Sequence, residues 1–587
     1  MQATSNVRTA IGAVSFLCGL ALCGIALLLP SSRIESFLLG TATGALAWGP
    51  ELFRALLGFH GLVLILIGTL AWRARGLMTS SSREAAPDEA GAEVRTAAPA
   101  ATAWWMVVVL CVIALGLRLW RLDTGLWLDE ILTLVDYVRQ PVGTILTTFP
   151  DQNQHMLYSL LAHASVNILG ESEWTLRVPA VFFGVAGILA LFVFGRRIAG
   201  TTESLLACAL LTVSYHHIWF SQNARGYTGL LLFTIIATWA WLVALPQRNL
   251  RAWIGYIVAV TFGMWTHTTM AFVVLSHALS YLWLMARTNK DVRPSSDRLG
   301  SSWLPLAALF LSTTLTLQVY ALALPDFLHS ALHEVSKKSQ WTDVRWLIKE
   351  TVQGLQLGFK GSAVLFAGFA LLATGWWNIY RRSSAAAIVM VLPGPLLCLA
   401  MMLLGHNLWP RFLFFSAGFA LLFAVRGTMQ LARILVGVVS RTTLIDRRVA
   451  IVGTAMWAVF IVASLVTVPR CYALPKQDFV GAREFVNAQR HSADAVVAIG
   501  LASLAYERYY APQWLGAKSR VELESLRQNH SDVWLIYTMP THVEKYHPDL
   551  WQSIQQHFKE VRVFPGTLQG GEVRVCRQRT TSRRSVI

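Results

Sequence analysis

Apolar residues along this chain run in long unbroken blocks instead of alternating with polar ones. Blocks of ~20 apolar residues, the helix length that crosses the hydrocarbon of a bilayer, recur from Ile11 almost to Pro469 and then stop. A window of about twenty residues finds about thirteen of them, starting near residues 11, 55, 104, 176, 203, 228, 252, 270, 302, 361, 384, 411 and 449. The first, Ile11 to Pro30, is longer than a signal-peptide core and has no A-x-A-like site before a soluble mature domain, so it is expected to be retained as a span. The blocks between Ala252 and Arg287 are joined around Thr266 to Thr269 with almost no loop. The segment 152–170 is nearly as apolar, but Met156, Leu157, Leu160, Leu161 and Ala164 form one face of it, which predicts a helix lying at the membrane interface.

Polar intervals divide the chain further. Residues 1–72 hold two leading spans, an expected hairpin, and residues 73–103 are rich in Ala, Ser, Glu and Arg, with too few large apolar side chains to fold, so a disordered cytoplasmic linker is predicted. Residues 104–469 hold the remaining spans, with long outer loops at 121–175 and 324–360. Beyond Arg470 the pattern changes to short β-like runs, Ala495 to Ile499, Val533 to Tyr537, Val561 to Phe564 and Glu572 to Cys576, alternating with helical stretches such as Gln477 to Arg490. Residues 470–587 therefore predict a small α/β domain. The expected class is a polytopic α-helical membrane protein with about 13 spans and a C-terminal extracytoplasmic α/β domain.

Charge fixes the expected sidedness. Placing the N-terminus inside puts Arg73 with Arg75, Arg196 with Arg197, Arg248 with Arg251, Arg287 with Lys290, Arg381 with Arg382 and Arg447 with Arg448 on the cytoplasmic face. The formal net charge of +17 is spread through these short loops and forms no continuous stripe, so no nucleic-acid partner is expected. A hydrophobic fraction of 55%, a charged fraction of 14% and a mean hydropathy of +0.50 exclude an ordinary soluble protein. Of the seven cysteines, Cys471 and Cys576 fall in the polar tail, where a pairing is left open, and no C-x-x-C metal spacing occurs.

The same parity gathers three polar clusters at the outer ends of spans. They are Gly125-Leu-Trp-Leu-Asp129-Glu130 with Asp151-Gln-Asn-Gln-His155-Met-Leu-Tyr158, then Ser221-Gln222-Asn223-Ala-Arg225-Gly-Tyr227, then His406-Asn407-Leu-Trp-Pro-Arg411-Phe412. Asp129 and Glu130 stand in a strongly apolar frame, where a carboxylate pair points to function. Guanidinium forks at Arg225 and Arg411 match phosphate oxygens and stay charged at the boundary, although either arginine also fits a plain interfacial anchor. His267 and His277 read as helix-packing residues, and Lys337 and Lys338 either guide an anionic carrier or face water.

These stretches carry a resemblance. The chain resembles the GT-C superfamily of integral-membrane glycosyltransferases, and within it the branch of the protein O-mannosyltransferases and the lipid A aminoarabinose transferase. W-L-D-E, Q-H-M-L-Y-S, S-Q-N-A-R-G-Y and P-R-F match that branch's Asp-Glu pair, its H-P-P-L-Y-Y-like and S-Q-E-A-R-x-Y-like stretches and its late Arg-aromatic pair, as does the segment Gly170 to Pro179. The likeness runs over roughly residues 104 to 470, and more loosely into the tail beginning Lys476-Gln-Asp478. Met156 stands where the family has a proline, and Asn223 where a glutamate is common.

What the resemblance implies is an inverting transfer of a sugar from a polyprenyl-phosphate donor to an acceptor hydroxyl on the outer face of the membrane. The acceptor is a lipid, glycan or protein, with membrane lipids around the core. Asp129, with Glu130 beside it, is then expected to carry catalysis, while Arg225, Arg411 and His155 hold the donor phosphate. Tyr158, Gln222, Tyr227 and His406 line the donor or acceptor pocket. No metal ligands are assigned, and a divalent cation at the acidic pair is left open. A transporter or flippase of lipid-linked sugars is the competing reading, but transporter charges tend to lie near the midplane and these lie at outer ends. A glycosidase needs carboxylates ~5 to 9.5 Å apart across a sugar, which adjacent Asp129 and Glu130 do not offer.

Overall fold

The computed structural model describes residues 2–40, 46–73, 100–246, 249–291, 303–333, 343–355, 362–439, 445–568 and 570–579. The expected linker, apart from its ends, lies outside the described residues, as do Arg75, Arg248, Lys337 and Lys338.

Helices dominate the first four-fifths of the chain. In order they are α1 (Gln2–Leu28), α2 (Ser31–Leu39), α3 (Gly49–Arg73), α4 (Ala100–Leu119), α5 (Leu128–Leu132), α6 (Val142–Thr147), α7 (Met156–Leu169), α8 (Glu173–Ile198), α9 (Thr201–Thr212) and α10 (Tyr215–Ser221). They continue as α11 (Tyr227–Ala244), α12 (Leu250–Thr266), α13 (Met270–Asp291), α14 (Trp303–Tyr320), α15 (Leu324–His333), α16 (Val344–Leu355), α17 (Ser362–Arg382), α18 (Ser384–Val391), α19 (Pro393–Leu404), α20 (Ala417–Val439) and α21 (Ile445–Ala473).

Every expected span falls on a helix, but the crossing count differs. Eight described helices are long and apolar enough to cross a bilayer, or nine if α1 and α2, bent by 90°, make one span. The difference lies in length. Helix α9 has 12 residues, which at ~1.5 Å per residue is about 18 Å, well short of the ~30 Å of hydrocarbon, and the apolar part of α13 ends at Ala286. Helix α7, at 14 residues, is likewise too short to cross, and its Leu161 and Ala164 are exposed while Met156, Leu157 and Tyr158 are buried. The protein is an integral membrane protein whose core is closed by α8, α11, α12 and α20 around Phe192, Trp241, Tyr256 and Phe419.

The leading hairpin is knitted by small residues. A Cβ at Gly19 on α1 would stand 2.6 Å from the Gly61 carbonyl on α3, and one at Gly61 would stand 2.6 Å from Cys23 Sγ, so the two backbones touch where no side chain intervenes. The hairpin is fastened to the core through His60 Nε2 and Thr314 Oγ1 at 3.1 Å, and through the Gln318 amide donating to Phe53 O at 3.2 Å.

Beyond α21 the chain forms α22 (Phe479–Gln489), β1 (Ala495–Ile499), α23 (Leu501–Ala505), β2 (Leu515–Ala517), α24 (Arg520–Asn529), β3 (Val533–Thr538), α25 (Pro540–Tyr546), α26 (Pro548–His557), β4 (Phe558–Phe564) and β5 (Val573–Gln578). The sheet order is β2-β1-β3-β5-β4, with β2, β1 and β3 parallel and β5 antiparallel to both neighbours. The alternation of each strand gives the sheet two apolar faces. One face, with Val497, Leu535 and Tyr537, packs against Leu523, Leu550 and Ile554 of α24 and α26. The other, with Val496, Ala498, Trp534 and Ile536, shares one core with Leu126, Leu128 and Ile131 of the membrane part. Cys576 is buried in β5 and Cys471 lies on α21, and both are free thiols.

Substituting Gly61→Leu forces a side chain into the α1 and α3 contact and is expected to cost about 1–3 kcal/mol. Thermal melting of the detergent-solubilised protein checks it, and an unchanged melting temperature would contradict the close packing.

Candidate active site

The site grows from one loop. After α4 the chain runs out as residues 120–127 and re-enters a helix at Leu128, so the carbonyls of this loop have no partner within it. Arg177 on α8 supplies the donors: its guanidinium reaches Leu122 O at 2.8 Å, Thr124 O at 2.7 Å and Gly125 O at 3.2 Å. The same guanidinium forks onto Glu130, with Nε to Oε1 at 2.8 Å and Nη2 to Oε2 at 2.6 Å, both side chains having no solvent exposure. Glu130 also accepts from the Ala224 and Trp127 amides, at 2.8 and 3.3 Å. Burial alone would raise the Glu130 carboxyl, but Arg177, Lys476 and these hydrogen bonds hold it below the usual carboxylate range. Both of its oxygens are committed to protein donors.

Asp129, the neighbouring residue, projects the other way. Its Oδ2 accepts from Arg411 Nη1 at 3.0 Å, and the pair keeps 15% and 26% side-chain exposure. Arg411 lies in the 3-10 segment Pro410–Ser416, entered after α19 ends on Gly405 in the left-handed region, and its guanidinium rests 5.1 Å from the Trp409 ring. The expected convergence of distant outer ends is therefore direct contact between residues 282 positions apart.

The Ser221 to Tyr227 stretch is spent residue by residue on holding this arrangement. Ser221 Oγ accepts from Arg118 Nε at 3.2 Å, and the Gln222 amide donates to Arg118 O and Trp120 O at the end of α4. Asn223 Oδ1 accepts from Trp127 Nε1 at 3.0 Å, so an acceptor oxygen is what this position needs, and an amide provides it. Arg225, buried, donates to Asn153 O at 2.6 Å and Thr133 Oγ1 at 3.2 Å, and Thr133 in turn donates to Asp129 O at 2.7 Å. Gly226 gives its N–H to His155 Nδ1 at 2.9 Å, and a Cβ there would stand 2.7 Å from that nitrogen, so only glycine allows the approach. His155 Nε2 lies 3.0 Å from Arg225 Nη2. Burial, then Arg225, His267 and Arg411, keep His155 well below the ordinary histidine range, so its ring is neutral at pH 7.

The remaining expected residues divide. Tyr227 packs on His155 and His267, whereas the Tyr158 hydroxyl, fully buried, donates to Leu176 O at 2.7 Å. His406 faces Gln152 at 3.4 Å on the wall of a cavity of about 220 Å³. His267 and Thr269 line that cavity opposite Phe272, Met401 and Phe412. His277 stacks on Trp241 in the helical core, away from this wall. Arg225 Nε, Arg411 Nε, the Tyr227 hydroxyl and the Asn153 amide nitrogen are buried with no acceptor from the protein. The acidic pair does not turn two carboxylates toward one point, and among the described residues no three His, Cys, Asp or Glu side chains cluster as a metal set.

Residues 153–323 match the model of the family described as dolichyl-phosphate-mannose-protein mannosyltransferase. The likeness is to GT-C glycosyltransferases. It covers under a third of the chain, including His155, Arg177 and Arg225 of the site. Among solved structures the chain is similar to ArnT from Cupriavidus metallidurans bound to undecaprenyl phosphate, at 13% identity over 81% of this chain and 98% of that one, TM-score 0.46. It is also similar to the oligosaccharyltransferase AglB from Archaeoglobus fulgidus in complex with an inhibitory peptide and a dolichol-phosphate, at 12% identity over 80% and 74%, TM-score 0.44. Likenesses this loose carry none of the chemistry argued below. No curated protein matches the chain.

Beside the motifs shared with GT-C glycosyltransferases, the geometry brings in residues to which the sequence alone assigned no role. Arg177 lies inside the segment Gly170 to Pro179, and its distance from Glu130 along the chain hides the pairing. Lys476, 7% exposed, donates to Gln222 O at 2.6 Å and lies 3.8 Å from Glu130, and burial pushes its ammonium down to about 7 against the opposing pull of Glu130.

Glu130→Gln leaves Arg177 buried without its counter-charge and is expected to cost about 3–5 kcal/mol of stability. The wild-type pair has a pH signature as well. Because Glu130 has a lower pKa folded than unfolded, its contribution is complete above the ordinary glutamate value of about 4.3 and declines as pH falls below it. Melting curves of wild type and Glu130→Gln from pH 7 downward check both, and a difference that grows on acidification would contradict the assignment.

Proposed function

We propose that this chain is an inverting glycosyltransferase that moves a sugar from a polyprenyl-phosphate donor to an acceptor hydroxyl at the outer face of the membrane. One observation carries the reading: a partly exposed carboxylate, Asp129, ion-paired with Arg411 and linked at its backbone through Thr133 to Arg225, with four buried polar atoms on these arginines, Tyr227 and Asn153 that lack an acceptor. Such a set of donors, two of the four on guanidinium groups, fits an anion with several oxygens, and a phosphate is that anion. His155 adds to it. With Nδ1 accepting from Gly226, the neutral ring carries its proton on Nε2, which then meets the Arg225 guanidinium donor to donor. A phosphate oxygen accepting from both relieves the conflict.

In the reaction the acceptor oxygen attacks the anomeric carbon from the face opposite the phosphate. The carbon–oxygen bond to the phosphate breaks, its electron pair leaves with the phosphate, and the hydroxyl proton passes to Asp129. Arg411 holds Asp129 in the substrate-free chain, and the donor phosphate competes for that guanidinium. Carrier binding and release of the base are then one event. Glu130 holds the loop and takes no proton. Gln222 and Tyr158 belong to the frame, while Tyr227 and His406 face donor or acceptor. The apolar wall of Phe272, Met401 and Phe412 suits a lipid carrier entering from the membrane. No divalent cation is assigned, since Asp129 already faces a guanidinium and Asp151 on the cavity wall accepts from Tyr137 and the Asn153 backbone amide.

Incubation of purified protein with a panel of polyprenyl-phosphate sugars and mass analysis of the products tests the reading. Wild type is expected to transfer one of them, Asp129→Asn to lose ~10²–10⁴-fold in kcat, and Arg411→Ala to raise the donor KM by ~10- to 150-fold, the equivalent of about 1.5–3 kcal/mol for a charge-assisted contact. Full turnover by Asp129→Asn would remove it as the base, and carrier crossing the membrane without a product would favour a flippase. The proposed orientation has its own test. A cysteine placed at Ser531 in the outer domain should react with a membrane-impermeant maleimide on intact cells, and protection there would reverse the topology.

A further inference from the structure

The outer domain is joined to α21 by Leu474 to Asp478, and this short connection runs against the loop that presents Asp129. Leu128 N–H opens α5 and has no partner within that helix. It donates to Gln477 Oε1 at 3.0 Å. The other end of the same side chain, 1% exposed, donates from Nε2 to Thr538 Oγ1 at 3.1 Å and Gly571 O at 3.2 Å. Gln477 thus spans from the C-terminal end of β3 to the first residue of the helix that carries the reacting carboxylate. Neighbouring bonds fix the connection itself. Thr567 N donates to Pro475 O at 2.9 Å, Leu568 N donates to Lys476 O at 3.0 Å, and the Tyr510 hydroxyl donates to Leu126 O at 2.9 Å.

We propose that Gln477 is a positioning residue for the transfer, setting the first turn of α5 from the outer sheet and thereby placing Asp129. The inference rests on the function proposed above. Arg177 fixes the loop up to Gly125, and Glu130 fixes Trp127, both from the membrane side. Leu126 O and Leu128 N, on either side of Trp127, are held from the outer domain. The outer domain is on this account one wall of the active site. An error of ~1 Å in a reacting group costs on the order of 10²-fold in rate, so a single lost bond at the base of α5 reads out in turnover. Carrier affinity is expected to move far less, because Arg225 also donates to Asn153 O and Arg411 lies in the 3-10 segment, neither of which Gln477 touches.

The test compares Gln477→Leu and Gln477→Glu with wild type in the full-length protein, using the polyprenyl-phosphate sugar that wild type turns over. Gln477→Leu is expected to lower kcat at least 10-fold with donor KM within 2-fold of wild type. Gln477→Glu, which keeps an oxygen acceptor for Leu128 N–H but loses the donor to Thr538 and Gly571, is expected to recover part of that loss. Hydrogen exchange of the peptide 125–132 is measured on the same proteins without substrate, and it should quicken in Gln477→Leu and return partway in Gln477→Glu. If Gln477→Leu does not fold, Thr538→Val, which removes one of the two acceptors of Gln477 Nε2 together with the hydroxyl's own bonds to Gly571 O and Glu572 O, takes its place and should quicken the same peptide to a smaller degree. Wild-type kcat in Gln477→Leu, or unchanged exchange of the peptide, overturns the proposal. Should wild type transfer nothing, the functional reading fails on its own, and the exchange data still decide whether Gln477 sets α5.

Discussion

Two charges of opposite sign, Glu130 and Arg177, are removed from water together, and the loop that presents Asp129 is built around them. Taking either ion out of water costs several kcal/mol unless its hydrogen-bonding groups are satisfied, and here they are: Glu130 has four donors and Arg177 three loop carbonyls besides the carboxylate. The consequence is geometric. With Glu130 locked inward, its neighbour must project to the opposite side, where Arg411 meets it. Adjacent carboxylates thereby acquire different tasks from their surroundings alone, one holding the frame and the other exposed to chemistry.

The second constraint is the lack of spare backbone partners at the membrane boundary. Irregular chain at this depth persists only where side chains satisfy it. That explains why Ser221 to Gly226 are engaged one after another, with Arg118, the end of α4, Trp127, Glu130, Thr133 and His155. The stretch works as a clamp that carries the buried Arg225 guanidinium, whose Nε has no acceptor from the protein. It also explains the place of the C-terminal domain, whose connection to α21 contributes Gln477 and whose sheet contributes an apolar face to the same loop.

Much of this was legible in the sequence, for physical reasons. Long apolar blocks, short basic loops and a polar tail with β-like alternation are local patterns, and each expected span falls on a helix, as four of the five strands fall within or beside the expected runs. Three-residue β2 at the sheet edge is too short to give a period, and α9 looked like a span because composition does not report where a helix ends. At the site, Asp129, Arg225, Arg411 and His155 were readable as polar groups in apolar frames. The division of labour between Asp129 and Glu130 was not, because it depends on Arg177, 47 positions away, and on Lys476, which approaches from the far domain. The seating of Gln222 and Tyr158 in the frame was equally hidden, since a tyrosine or amide in a signature looks the same whether it faces a ligand or a carbonyl.

The central claim is that the guanidinium groups of Arg225 and Arg411, with His155 beside them, receive the phosphate of a lipid carrier within reach of Asp129. A high-resolution structure of the protein with a polyprenyl phosphate bound tests this most directly. The account predicts phosphate oxygens within hydrogen-bonding distance of both guanidinium groups, with Arg411 turned from Asp129 toward the phosphate. A carrier phosphate seated elsewhere, with the Asp129 and Arg411 pair undisturbed, would contradict it.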